Sequence, residues 1–134
     1  AIARRNIVLR SIINISFINI ILYNESKMTK AVLIHETLNH IEEIDVDIEP
    51  SKNEIFKILL GRATFIGQWP EIDVVIMKPE HGLIENENVL PYPFNGEDVK
   101  GKVLLMRMDE NSEPQDFTLH EYTLLHPRDE GILI

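Results

Sequence analysis

The chain has 134 residues, of which 44% are hydrophobic and 26% are charged, a composition typical of one soluble globular domain. It contains no cysteine, which excludes a disulfide framework, a thiol nucleophile and a thiolate metal site. The net charge is −9; because residues 1–27 carry +3, the remainder carries −12. So acidic a body argues against binding to a phosphate backbone, and we expect no nucleic-acid partner.

Residues 1–27 are rich in Ile and Asn and differ from the rest of the chain. Their apolar run from Ser11 to Tyr23 is shorter than the about 20 residues that a membrane-spanning helix needs, and no small-residue cleavage site of a secretory signal follows it. A/T-rich codons encode these residue types, and the first Met is Met28. We therefore interpret residues 1–27 as a non-native or disordered leader translated from upstream sequence, with a structural extension and a signal or anchor as alternatives. A single globular domain is expected at 28–126 and a frayed tail at 127–134.

Two strands open this domain. Lys30–His35 is a short apolar run, and Glu43–Glu49 alternates apolar with acidic residues, a period of two that is typical of a half-buried strand. In this pattern Asp45 and Asp47 face the solvent side, and a turn at 38–40 joins the strands into a hairpin.

A helix is predicted next. Ser51 and Glu54 have the spacing of a capping box, in which each side chain bonds the other residue's backbone amide. Gly61 is expected to end the helix in a left-handed conformation. The apolar stripe of the helix consists of Ile55, Phe56, Leu59 and Leu60.

Three further strands follow. Ala63–Ile66 and Ile72–Met77 are apolar segments, and the second is nearly all apolar, which predicts a position inside the sheet. Val103–Met108 is the last strong strand. The 23 residues of Lys78–Lys100 between them are long for a loop in a compact domain, which indicates a functional loop or a missed short strand.

The domain ends in a polar turn and a second helix. Asp109–Asp116 is the turn; Thr118 and Glu121 then form a second capping box, and Phe117 and Tyr122 occupy the positions of a hydrophobic staple. These elements predict an α+β fold with a small mixed or mainly antiparallel sheet of about five strands and two capped helices, in the order ββα-ββ-β-α.

The same polar turn is a candidate metal site, because Ca²⁺ and Mg²⁺ prefer oxygen ligands. Its oxygen-bearing side chains are Asp109, Glu110, Asn111, Glu113 and Asp116. However, the turn lacks the D-x-[DN]-x-[DN]-G pattern of a calcium loop, and a solvated turn before a capped helix explains every residue. We therefore assign no metal ligand there.

No catalytic motif is present in the sequence. The histidines, which could act as ligands or bases, form neither an H-x-x-x-H pair nor an H-E-x-x-H motif; they are His35, His40, His81, His120 and His126. The chain has no G-x-S-x-G elbow, no P-loop and no G-x-G-x-x-G. We assign no catalytic residue and no cofactor, and interpret the protein as a binding protein rather than an enzyme.

Three aromatic residues are candidate partner contacts. Trp69 lies in a predicted connection, and Tyr92 and Phe94 lie on a strip stiffened by prolines. Exposed aromatic residues on loops often anchor partners. The alternative is that these rings fold back and cap the core, because burial of a large ring is strongly stabilising.

Three segments carry a family resemblance: Leu59–Ile66, Val99–Met106 and Asp116–Tyr122. They resemble small uncharacterised domains from phages, mobile elements and large DNA viruses of algae, and the resemblance covers about residues 30–122. Because the shared motifs are structural, the resemblance implies no activity and no site residues. The first hairpin and helix also resemble the opening of ubiquitin-like β-grasp domains, a pattern that does not continue after Gly61.

Together these observations predict a small acidic accessory protein of viral or mobile-element type. We expect it to bind a protein partner in the cytoplasm, without a membrane association of residues 28–134. One alternative is a small metal-dependent enzyme or metal-binding protein that uses the turn at 109–116. Another is an inhibitor that mimics nucleic acid towards a basic host protein, for which the −12 charge would be the basis.

Overall fold

The computed structural model describes residues 28–125, so the predictions for residues 1–27 and for the tail at 127–134 lie outside the described residues. The described part contains the strands β1 (Met28–Ile34), β2 (Ile41–Asp47), β3 (Ala63–Trp69), β4 (Val74–Pro79), β5 (Val103–Met108) and β6 (Pro114–Gln115), and the helices α1 (Glu54–Leu59) and α2 (Leu119–Thr123). Two 3₁₀ turns lie at Pro50–Lys52 and Pro70–Ile72.

The strands form one sheet in the order β2-β1-β5-β4-β3, and β6 pairs with the end of β5. Every strand pairing is antiparallel, which confirms the α+β fold and its mainly antiparallel sheet. β5 is the middle strand, and β4 has neighbours on both sides, as its apolar sequence predicts.

Both faces of the sheet are covered, because successive side chains of a strand point to opposite faces. Val32, Ile34 and Leu105 lie on one face, in a cluster that includes residues around α2. Leu33 and Leu104 lie on the other face, with residues around α1. The middle strand is therefore buried on both sides.

The start of α1 differs from its prediction. The Ser51–Glu54 capping box is wrong: Asn53 precedes the helix in a left-handed conformation and makes no side-chain cap bond. Glu54 Oε1 instead accepts from the N–H of Asp47 at 2.9 Å. The cause is Pro50, whose fixed φ angle begins a 3₁₀ turn that takes up Ser51.

The end of α1 and the end of β2 also differ. Leu60 takes the left-handed conformation with φ 58°, and Gly61 follows it with a positive φ of 156°. Asp47, predicted on the solvent side of β2, is 1% exposed. Lys52 Nζ lies 2.7 Å from its Oδ2, and the Glu49 N–H donates to its Oδ1 at 2.9 Å. The buried carboxylate is stabilised because the chain after β2 folds back over it and supplies these partners.

The second capping box is confirmed. Thr118 Oγ1 accepts from the N–H of Glu121 at 3.1 Å, and Glu121 Oε1 accepts from the N–H of Thr118 at 3.3 Å. Phe117 and Tyr122, the predicted staple, are both buried in one cluster. Arg107 Nη2 donates to Glu121 Oε2 at 2.7 Å, and this bond is the main reason that the pKa of Glu121 lies below its ordinary value.

Candidate functional site

The segment between β4 and β5, residues 80–102, is the longest connection of the described domain and is called the long loop here. It is held by backbone hydrogen bonds: Gly101 N–H donates to Ile84 O at 2.7 Å, and Asn86 N–H donates to Val99 O at 2.9 Å. A single β-bridge joins Glu85 to Lys100. These bonds hold the two halves of the loop against each other, although the halves do not form a regular strand pair. We call this hydrogen-bonded part of the loop the arm.

Gly82 shows how closely the two halves of this arm approach each other. A Cβ atom built at Gly82 would lie 2.1 Å from Lys100 O, a distance that no side chain tolerates. Glycine is required here because of this close approach of two backbones. Any larger residue would push the arm open and displace Leu83 and Ile84.

The arm exposes apolar side chains to solvent. Leu83 is 92% exposed, and Ile84 is 62% exposed. Both line a cleft of about 150 Å³ together with Pro79 and with Leu60, the exposed residue at the end of α1. We call these four residues the apolar cleft. Exposed apolar residues that gather in one place commonly mark a contact with another molecule.

Two charged residues, Glu36 and Lys102, also line the cleft. Lys102 Nζ lies 3.1 Å from Glu36 Oε1, and both side chains are only partly exposed. Burial opposes the ionisation of Glu36, but hydrogen bonds from its own backbone amide and from Lys102 outweigh it and lower the pKa of Glu36. This ion pair lies between the end of β1 and the start of β5, so it fixes the cleft to the sheet.

The long loop also carries a dense negative charge. No Lys or Arg lies between Lys78 and Lys100, whereas this segment contains the carboxylates of Glu80, Glu85, Glu87, Glu97 and Asp98. A hydrogen bond between Glu85 and Asp98, helped by desolvation, raises the pKa of Glu85. The surface beside the apolar cleft therefore favours a positively charged ligand.

The three aromatic candidates lie in different environments. Trp69 is 1% exposed, donates from Nε1 to Tyr92 O at 3.0 Å and makes an edge-to-face contact of 5.6 Å with Phe94. Phe94 is partly buried and packs against the core, whereas Tyr92 is 44% exposed. That all three contact a partner stays a prediction, and Tyr92 is the one whose ring is substantially open to solvent.

The turn at 109–116 uses its oxygens internally. Asp109 Oδ1 accepts from the N–H groups of Asn111 at 2.8 Å and Glu113 at 2.9 Å, and Oδ2 accepts from Gln115 Nε2 at 3.1 Å. The bond from Glu113 is the largest of the causes that lower the pKa of Asp109. Asp116 Oδ1 accepts from the Lys30 N–H at 2.9 Å. These bonds shape the turn and dock it against β1.

Two of the histidines meet, although no sequence motif indicates it. The rings of His35 and His40 stack with a centroid distance of 3.8 Å and an interplanar angle of 9°. His81 and His120 are exposed elsewhere, and His126 lies outside the described residues. The signal that could find the pair is the register of the hairpin: Ile34 faces Ile41, so the next residues outward, His35 and His40, also face each other.

No helix within residues 28–125 combines the length and the hydrophobicity that a membrane crossing requires.

The fold defines a small α+β domain with one antiparallel sheet, and comparison with known proteins places it in a family. Residues 32–125 match the model of a family of unknown function (DUF5880). The match covers most of the chain, and the protein belongs to this family. No curated protein and no solved structure matches the chain.

Proposed function

We propose that this domain acts by binding another protein, and that the apolar cleft is its docking surface. The single observation that carries the proposal is that Leu83 and Ile84 are exposed on an arm held by hydrogen bonds. A surface that is already ordered loses little conformational entropy when a partner binds. Leu60, which is 80% exposed and also lines the cleft, extends the contact area.

The partner that fits this surface is a basic protein segment with an apolar side chain. The apolar side chain would enter the cleft between Leu60 and Leu83. Lys or Arg residues on either side of it would face the carboxylates that lie between Lys78 and Lys100, a segment without a Lys or Arg of its own. Charge complementarity of this kind raises the association rate and selects the partner, while the apolar contact supplies affinity.

The biological setting of the proposal rests on the family resemblance. We place the protein in the cytoplasm of a host cell, as an accessory protein of a virus or mobile element. The genomic location of its gene tests the origin, and the distribution of a fluorescently tagged chain in the host tests the compartment. A cellular gene outside any mobile element would contradict the viral setting without affecting the docking surface.

An array of synthetic peptides tests the docking surface directly. Wild type should retain peptides that combine Leu or Phe with Lys or Arg. The double variant Leu83→Ser/Ile84→Ser should bind them at least about tenfold more weakly, because it removes the centre of the contact. Leu124→Ser is the matched control, since Leu124 is 63% exposed and does not line the cleft.

Three results would contradict the proposal. Equal binding by wild type and the double variant would show that the cleft is not part of the contact. Binding that disappears in high salt for every peptide would favour the nucleic-acid mimic, whose contacts are purely ionic. Self-association of the wild type that the double variant loses, measured by analytical ultracentrifugation, would identify a second copy as the occupant of the cleft.

A further inference from the structure

The tip of the β1–β2 hairpin gathers three groups that are suitable as metal ligands. His35 and His40 face each other across the turn, and Glu42 follows on the second strand. His35 Nε2 lies 2.5 Å from Glu42 Oε2. One donor atom from each of the three residues lies within 4.8 Å of the other two. Within residues 28–125 this is the group of His and acidic residues whose donor atoms converge in this way. We call these three residues the tip cluster.

We propose that the tip cluster is a binding site for a divalent transition-metal ion of the Zn²⁺ type. Two imidazole nitrogens and one carboxylate oxygen are a ligand set that Zn²⁺ accepts while it keeps a further position for water or a substrate. Imidazole ligands select against Ca²⁺ and Mg²⁺, which prefer oxygen. The strongly acidic body of the chain adds a long-range attraction for any cation.

Small movements bring the three donor atoms to binding distances. In a tetrahedral site with bonds of about 2.05 Å, the ligand atoms lie about 3.3 Å apart. The His35–Glu42 pair, now at 2.5 Å, opens slightly, and the other donor atoms, all within 4.8 Å of one another, close by at most about 1.5 Å. The His40 ring must turn out of the stack, because the nitrogen lone pairs of two stacked rings lie in two nearly parallel planes and cannot both point at one ion. Its side chain is exposed, which leaves solvent-filled space for this rotation.

The backbone beneath the tip cluster is held by the long loop. Asn88 Nδ2 donates to His35 O and to Thr37 O, both at 2.9 Å, and Asn88 Oδ1 accepts from the Asn39 N–H at 2.8 Å. Glu87 Oε1 accepts from the Leu38 N–H at 3.0 Å. We call these contacts the Asn88 clamp. Because the turn is fixed before any ion arrives, binding orders little more than the three ligand side chains.

The site is independent of the proposed docking function. Neither His35, His40 nor Glu42 lines the apolar cleft. A bound ion would connect the end of β1 to the start of β2 and stabilise the folded chain, because a ligand that binds only the native state shifts unfolding to higher temperature. Since the cluster is partly exposed, the open coordination position faces solvent, where a water or a donor from another molecule can complete it.

Calorimetric titration of the full-length, metal-free chain with ZnCl₂ tests the site, and Tm with and without Zn²⁺ is the second readout. We expect one ion per chain. His40→Gln should weaken binding at least about tenfold and abolish the Zn²⁺-dependent rise in Tm, and Glu42→Gln should act in the same direction. Both side chains are exposed, so these variants keep the fold.

The chain supplies a matched control. His81 Nε2 lies 3.1 Å from Glu80 Oε1, an exposed His–Glu pair outside the tip cluster, and His81→Gln should bind Zn²⁺ as wild type does. Equal affinity of wild type and His40→Gln would overturn the proposal. So would no binding at 100-fold molar excess of ion over about 10 μM chain, or half an ion per chain, which would mean that the ion bridges two molecules.

Discussion

The tip of the β1–β2 hairpin and the turn at 109–116 both join antiparallel strands, and they use their polar side chains in opposite ways. In the turn at 109–116, both carboxylate oxygens of Asp109 accept hydrogen bonds from groups of the turn itself, and Asp116 accepts one from the backbone of β1. At the hairpin tip Asn88 supplies backbone partners from outside the turn, and the His35 ring instead bonds Glu42, another member of the tip cluster, and stacks on His40. A high density of potential ligands therefore does not make a site; what matters is whether the donor atoms are bonded to the backbone of the turn or converge on one another.

Among the variants that distinguish the two turns, we expect the largest loss of stability when the Asn88 clamp is removed. Asn88→Ala leaves two carbonyls and one N–H of the hairpin turn without this partner. We expect the free energy of unfolding to fall by about 1 to 2 kcal/mol, because one partly buried carbonyl, that of His35, and two exposed backbone groups lose their hydrogen bonds. Urea denaturation monitored by Trp69 fluorescence measures it. Asn95→Ala, an exposed Asn of the same loop, is the control and should change little; equal losses in both variants would contradict the clamp.

A smaller effect is expected from Asp109→Asn. The folded pKa of Asp109 lies below its ordinary value of 3.8, so its carboxylate stabilises the fold above that value, and this contribution is lost as pH falls through the folded pKa. The variant should be less stable at pH 7 and should show a flatter decline of stability towards pH 3. Urea denaturation across this range measures both. Glu110→Gln, the exposed neighbour, is the control and should change stability little; a rise in the stability of wild type on addition of Ca²⁺ that Asp109→Asn lacks would mean that the turn is a metal site after all.

The smallest effect is expected at the Glu85–Asp98 pair of the long loop. The hydrogen bond with Asp98 raises the pKa of Glu85 above its ordinary value of 4.5, so the ionised pair costs stability at neutral pH and the cost falls as Glu85 is protonated. Glu85→Gln should therefore raise Tm slightly at pH 7 and leave it unchanged near pH 4. Glu97→Gln, an exposed carboxylate of the same loop, should show no such pH-dependent difference. A lower Tm for Glu85→Gln at pH 7 would show that the pair stabilises the arm.

Local patterns in the sequence predict the elements whose stabilising contacts are local. The Thr118–Glu121 box was predictable because its bonds join residues three positions apart, whereas β5 was predictable from its continuous apolar sequence although its partners β1 and β4 are distant in the chain. The Ser51–Glu54 box failed where a proline and a buried partner, Asp47, compete for the same groups. The candidate surfaces were harder to predict from the sequence. The position of the exposed Leu83 depends on the packing of the backbone at Gly82 against that at Lys100, which no local pattern indicates.

The tip cluster could be predicted only in part from the sequence. Its two histidines follow from the hairpin register once the turn is placed. The Asn88 clamp does not, because its partner residues lie about fifty positions away and only the completed sheet brings them together. No spacing rule connects Asn88 to Asn39.

The Asn88 clamp also implies an order of events during folding. The hairpin can close early, since its strands are adjacent in sequence, whereas the clamp needs a closure over 49 residues between Asn39 and Asn88. The turn that presents His35 and His40 would thus acquire its final shape in one of the last steps. A nascent chain that has not yet emerged past Asn88 would carry all three ligands and still hold them loosely, so the capture of an ion would report that the fold is complete.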